Sequence, residues 1–313
     1  MNNIALVVDK LYPYHRKLRH ECFIQASTLT HHLISSWEND LPKIKDQLTT
    51  LAYEYVEDVS NKVILLEDPS FRKTGFGIFL AIPYITRFDE RYIKRIRKKF
   101  KRLAKSLSFI RGRHTFLTVT FDPRNMLTLQ QVREDFSKAI TRLLDLIKKK
   151  FNFLGYVKCF EFTDSGLIHA HILLVNVRFI HPGWLTNTLN RLSLGKIKHI
   201  KEFKGNVIHG FNYFLKYFRK QFDFSNHDGG FSISLILSWA LNLRTYSLSR
   251  SLVDLSNRCR ISSRTKGWVY FGCLPDRGVY GCLTGSQVIR FWEDWLRLRG
   301  LLLLDGSEYR LVR

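Results

Sequence analysis

The sequence predicts an α+β fold, an antiparallel β-sheet with packed helices, extended by a mainly helical N-terminal region and a mixed C-terminal one. Three observations carry this expectation. β-branched and aromatic stretches alternate with period two in the middle of the chain. Amphipathic stretches with apolar residues three and four apart lie between them. The order along the chain is strand, helix, hairpin, helix, strand, helix, which joins neighbouring strands by turns and lays helices on a sheet.

Taken in order, Gly77 to Ile82 reads as a strand ending at Pro83. Residues 91–105 carry nine basic side chains and no acid, and Ile93, Ile96, Phe100, Leu103 and Leu107 recur at helical spacing behind Asp89, a good N-cap. The outer face of that helix is equally a solvated surface or a phosphate-contacting one. His114 to Asp122 is a strand closed by an Asp-Pro turn. Thr128-Leu-Gln-Gln131 resembles a capping box, and Leu129, Val132, Phe136, Ile140, Leu143 and Ile147 line one face of a helix ending in three lysines. Tyr156 to Phe162 and the stretch from Leu167 onward form a hairpin turning at Asp164-Ser165-Gly166. A short helix around 184–192, a strand at 197–203 and a helix from about 207 to 222 complete the core. Residues 226–230, Asn-His-Asp-Gly-Gly, mark a boundary. The expected division is thus 1–72, a helical region; 73–225, the core domain; and 226–313, a C-terminal region in which Arg244 to Arg250 is either a DNA contact or an ordinary loop.

The chain has 313 residues, 45% of them hydrophobic, ample for a large core. Its 50 Lys and Arg against 27 Asp and Glu give a net charge of +23, which points first to a nucleic-acid partner. The longest near-apolar stretch, Phe231 to Leu243, is broken by serines and too short to span a bilayer, and no secretory signal is evident, so a cytoplasmic protein without a membrane partner is expected. Five cysteines without a C-x-x-C pair argue against a disulfide framework or zinc ribbon; Cys259, Cys273 and Cys282 are better read as reduced thiols than as ligands. No phosphate-binding G-x-x-x-x-G-K-[ST] loop occurs.

His169-Ala-His171 stands at the head of the run Ile172 to Val175, which is apolar on both faces as in a central strand. Alternation puts both imidazoles on one face, close enough to share an ion. Paired histidines also occur as hydrogen-bonded core residues. Glu161, on the partner strand of the hairpin, is the expected third ligand, and a carboxylate suits Mg²⁺ or Mn²⁺. Downstream, Tyr213, Lys216, Tyr217 and Lys220 fall at i, i+3, i+4 and i+7, one helical face, with Phe211, Leu215 and Phe218 available to the core. Taken alone, that helix reads as a tyrosine-rich amphipathic element with its lysines in solvent.

Together the two halves suit phosphoryl transfer by covalent catalysis. A tyrosine hydroxyl, Tyr213 or Tyr217, can form a stable phosphodiester, a divalent ion on His169 and His171 would polarise a non-bridging phosphate oxygen, and Lys216 could stabilise the attacking phenolate. Lys98, Arg102, Arg219 and Lys220 are the expected nucleic-acid contacts.

At these residues the chain resembles the HUH endonuclease superfamily, and more narrowly the two-tyrosine rolling-circle replication initiators of plasmids and small viruses. The resemblance rests on Phe116-Leu-Thr-Val-Thr120, His169-Ala-His171 and Tyr213-Phe-Leu-Lys216-Tyr217, in that order over about 110–222. It implies a metal-dependent enzyme that nicks and rejoins single-stranded origin DNA through a 5′-phosphotyrosine, the second tyrosine acting in the next transfer. Unwinding and synthesis would then fall to a separate host helicase and polymerase. A transposase or relaxase of the same chemistry, or a non-catalytic DNA-binding protein whose tyrosines stack on bases, are the alternatives.

Overall fold

The computed structural model describes residues 21–60, 62–67, 78–122, 127–151, 153–220, 222, 230–244, 246–258, 269–275, 281–284, 287, 302–305 and 308–311. The elements are α1 (Glu21–Leu29), α2 (Trp37–Ser60), β1 (Lys62–Glu67), β2 (Ile78–Pro83), α3 (Glu90–Ser106), β3 (Arg111–Phe121), α4 (Leu129–Phe151), β4 (Gly155–Phe162), β5 (Ile168–Val175), α5 (Pro182–Arg191), β6 (Leu194–Asn206), α6 (Val207–Lys220), α7 (Ile233–Ala240), β7 (Ser247–Leu248), α8 (Arg250–Arg258), β8 (Val269–Pro275), β9 (Gly281–Thr284), β10 (Leu302–Asp305) and β11 (Glu308–Leu311). The α+β class holds, with every strand pairing antiparallel.

Contacts group the chain into two compact units built from non-contiguous segments, where the sequence suggested contiguous divisions at 72/73 and 225/226. One unit takes 54–86 and 262–313 with the first 21 residues, and its sheet runs β8-β1-β2-β9. Val63, Leu65 and Ala81 are buried in it. β10 and β11 form a separate hairpin with Leu302 opposite Leu311.

The other unit, 22–53 with 87–261, holds a five-stranded sheet in the order β6-β3-β5-β4-β7. β5 is buried along its whole length, as its unbroken apolar run requires of a strand covered on both faces. Its register places Thr118 of β3 opposite His171, Thr120 opposite His169, and on the other side Cys159 of β4 opposite His171 and Glu161 opposite His169. Gly166 closes the β4–β5 turn at φ +75°, a conformation that side chains bearing a Cβ rarely adopt. The N-terminal part of α2 braces that turn: Trp37 Nε1 donates to the Ser165 carbonyl at 2.8 Å, and Lys45 Nζ donates to the Asp164 carbonyl.

The sheet's two faces are filled by different helices. On one, Phe136 of α4 meets Phe121 and Phe160 at ring separations of 6.0 and 5.7 Å. α4 begins with the reciprocal box: Gln131 N donates to Thr128 Oγ1 and Thr128 N to Gln131 Oε1, both at 3.1 Å, an arrangement worth about 1 kcal/mol. On the other face lies α6, seated across β3, β5 and β6. α3 packs beside it through Phe100, whose ring lies 5.7 Å from Phe214 and 5.5 Å from Phe218.

Two local expectations change. Phe214, with Phe211 and Phe218, is fully buried, whereas Leu215 is only half-buried. At 100° per residue Leu215 lies a further step round the helix, beyond the sheet and beside α3. The stretch Arg244 to Arg250 is more than an ordinary loop: Ser247 and Leu248 pair with β4 as an edge strand, and the Tyr246 ring sits 4.6 Å from Phe100. The apolar run from Phe231 folds as α7, capped by Ser232 and buried from Ser234 to Ala240. Among the described residues no helix is long and apolar enough to cross a membrane.

Candidate active site

Period-two alternation projects His169 and His171 of β5, Glu161 of β4, and Thr118 and Thr120 of β3 from the face that α6 covers. Glu161 stands opposite His169 but reaches diagonally to His171, its Oε2 in direct contact with Nε2 of that ring. The other ring nitrogen, Nδ1, lies 3.0 Å from Thr118 Oγ1. His171 is therefore held at both nitrogens. The Glu161 carboxylate accepts from Nε2–H; a metal ion on Nε2 would take the place of that hydrogen, and Nδ1 would then donate to Thr118 Oγ1 as second-sphere partners of metal-bound histidines require. His169 is 6% exposed and His171 2%, and their ring centroids are 6.4 Å apart at 69°.

Two nitrogens and one carboxylate from adjacent strands are a donor set suited to a divalent ion. The convergence is tight for His171 with Glu161, and looser for His169. Among the described residues no three His, Cys, Asp or Glu side chains close on a single point tightly enough to hold a metal as they stand. The His169 ring would have to turn toward the other two.

α6 lays Tyr217 over His171, with Tyr213 one turn away on the same face. Tyr217 tilts across the His171 ring at 4.4 Å and stacks on Phe116 at 5.0 Å. Tyr213 meets the Phe116 ring edge-on at 4.9 Å and packs on Phe203 at 5.1 Å. The two hydroxyl oxygens are 2.9 Å apart. Burial, the hydrogen bond to Tyr213 and the negative Glu161 push the Tyr217 phenol up to about 12. The Tyr217 and Tyr213 hydroxyls share one hydrogen bond, which either can donate.

Tyr213 in turn has a partner that sequence reasoning passed over. His199 Nε2 lies 3.1 Å from the Tyr213 hydroxyl, and Lys201 Nζ sits 4.4 Å over the Tyr213 ring. Both come from β6, where His199 is opposite Thr118 and Lys201 opposite Phe116. A His-x-Lys pair in a strand is a faint signal. Only the pairing of β6 with the outer edge of β3 carries it to the tyrosines.

The cationic residues divide differently from expectation. Lys216 and Arg219 are exposed and line a groove between α3 and α6 with Arg97 and Lys101. Lys216 thus sits at the rim of the tyrosine face. Lys98 and Arg102 are exposed but belong to the outer face of α3, away from that groove, while Arg97 and Lys101, one residue earlier in each case, face it. Helical phase decides this: Phe100 points into the core, and only the positions flanking it can turn toward α6. Lys220 ends α6, and its side chain lies outside the described residues. Cys159 is buried, opposite His171, and is in no disulfide.

The family model for the replication-associated protein ORF2 matches residues 114–222. That span opens with β3 and closes after α6, and so contains the histidine pair, Glu161, His199 and both tyrosines. The match supports a replication-initiator role with origin DNA as the partner. No curated protein matches the chain.

Proposed function

We propose that this protein initiates rolling-circle replication by nicking and rejoining single-stranded origin DNA through a 5′-phosphotyrosine, as a two-tyrosine HUH endonuclease. One observation carries the reading: two tyrosine hydroxyls meet 2.9 Å apart, and the ring of one of them, Tyr217, lies 4.4 Å from a buried histidine that contacts a carboxylate.

His169, His171 and Glu161 would hold Mg²⁺ or Mn²⁺, which when bound polarises the scissile phosphate. The chain's own groups do the rest. Tyr213 gives its proton to His199 Nε2, and its oxygen attacks phosphorus. The bond from phosphorus to the 3′ oxygen breaks, and that oxygen takes a proton from water to become a 3′-hydroxyl primer. Tyr217 donates a hydrogen bond to the Tyr213 oxygen as its charge develops. It serves as nucleophile in the following transfer, once Tyr213 carries DNA and no longer receives its proton. Lys216, at the rim, is placed to meet the phosphate from the solvent side. Unwinding and synthesis are left to a separate host helicase and polymerase.

The test is incubation with Mn²⁺ and single-stranded oligonucleotides tiled across the parent replicon, read on a denaturing gel. A covalent 5′ adduct mapping to Tyr213, lost in the Tyr213→Phe/Tyr217→Phe double variant, is expected. No adduct on any oligonucleotide would leave a DNA-binding protein whose tyrosines stack on bases, and the nicking mechanism would fall.

A further inference from the structure

We infer that the groove between α3 and α6 binds the phosphate backbone of the same single DNA strand, next to the nucleotide that reaches the tyrosines; the inference rests on the nicking reading for its choice of ligand. The groove measures about 500 Å³, within the range of cavities that hold ligands. Arg97 and Lys101 enter from α3, Lys216 and Arg219 from α6, with Asn212 adding an amide. Leu215 and Phe222 supply an apolar floor.

The charge balance argues for an anionic occupant. Among the described residues no carboxylate lines the groove, and none of the four cations forms an ion pair. Like charges gathered from two helices repel one another, a cost relieved when a polyanion lies among them.

Position argues for DNA over free phosphate. Lys216 precedes Tyr217 by one residue and follows Tyr213 by three, so it lies on the border between the groove face and the tyrosine face of α6. A strand with one phosphate at the phenols has its neighbouring phosphates within reach of Lys216, Arg219 and Lys101.

Binding is read by fluorescence anisotropy of a labelled single-stranded oligonucleotide in a sodium chloride series without divalent metal, so that no cleavage intervenes. The variant Lys101→Gln/Arg219→Gln removes two exposed groove cations, and Lys148→Gln/Lys149→Gln removes two exposed cations from the end of α4. Each phosphate contact contributes about 0.7 to the slope of log K against log salt on single strands. The groove variant should therefore lose about 1.4 from the slope and bind about 25-fold more weakly at roughly 0.1 M salt, if the contacts act through counterion release. The α4 variant should stay within about twofold of the parent. Equal losses in both variants, or none in the groove variant, would overturn the inference. So would inorganic phosphate displacing the oligonucleotide far better than chloride at equal ionic strength, which would make the groove a free-phosphate site. The tyrosine adduct is a separate readout. Weakened groove binding with no adduct anywhere would spare the groove and sink the nicking reading, and the reverse pattern would do the opposite.

Discussion

His199→Ala should separate the two tyrosines. In the free protein hydrogen bonds link Tyr217 to the Tyr213 hydroxyl and that hydroxyl to His199 Nε2, over 2.9 and 3.1 Å. His199 is exposed on β6, so its loss should cost the fold no more than about 0.5 kcal/mol. A positioned base contributes roughly 10²–10⁴-fold to a step in which it accepts the proton. Its Nε2 contacts the Tyr213 hydroxyl. Single-turnover adduct formation would be timed in two backgrounds, Tyr217→Phe, where Tyr213 alone can attack, and Tyr213→Phe, where Tyr217 alone can. His199→Ala should slow the first by at least about 100-fold and the second by no more than about twofold, as expected of a residue that does not touch the other nucleophile. Equal slowing in both backgrounds would make His199 a general support of the site. No slowing in either would remove it as the proton acceptor.

Other perturbations test the scaffold beneath the site. A Cβ at Gly210 would lie 2.7 Å from Leu173 Cδ1 and 3.2 Å from its Cδ2, so Gly210→Ala should lift α6 off β5. A shift of about 1 Å in the tyrosines lowers adduct formation about 100-fold, and Leu173→Val in the same chain should recover much of it; failure to recover would show that the helix is not seated by this contact. Thr118→Val removes the 3.0 Å partner of His171 Nδ1. It should raise the Mn²⁺ concentration needed for half-maximal adduct formation by about 10- to 100-fold with little change in the rate at saturation, and an unchanged Mn²⁺ curve would dissociate His171 from the metal. His114 is buried, accepting at Nδ1 from Asn176 N and facing the Gly205 carbonyl with Nε2, each at 3.2 Å, and burial holds its pKa below the usual 6.5. The folded chain resists a proton that the unfolded chain accepts, so His114 contributes its full stability above 6.5 and loses it as pH falls below that value. Urea midpoints should drop less steeply with acid in His114→Gln than in the parent, and identical slopes would exclude His114 as a source.

Much of the domain was legible before folding because its signals are local. The Asp89 cap, the Thr128–Gln131 box, the turn at Gly166 and the alternation of His169 with His171 depend on residues a few positions apart, and each stands as expected. Glu161 was found by the same logic, since a hairpin brings its two strands into register by itself. His199 and Lys201 were not, because strand order places β6 beside β3 across an intervening hairpin and two helices. Arg97 and Lys101, which line the groove, could not be told from Lys98 and Arg102, because a helix with nine cations offers several basic faces and only the packing of Phe100 on Phe214 and Phe218 fixes its rotation.

The sequence by itself determined the chemistry's vocabulary: a histidine pair on one strand face, a carboxylate on the next strand, two phenols one helical turn apart, and an excess of positive charge. Periodicity fixes which side chains share a face, and periodicity is written in the chain. Tertiary structure alone decided what those faces meet. It set α6 on the histidine side of the sheet, which tilted Tyr217 over His171, brought Tyr213 within hydrogen-bond distance of His199 on β6, and turned Lys216 to the rim of a cationic groove. Such pairings arise from burial shared between distant segments, an energy that no single stretch of sequence carries.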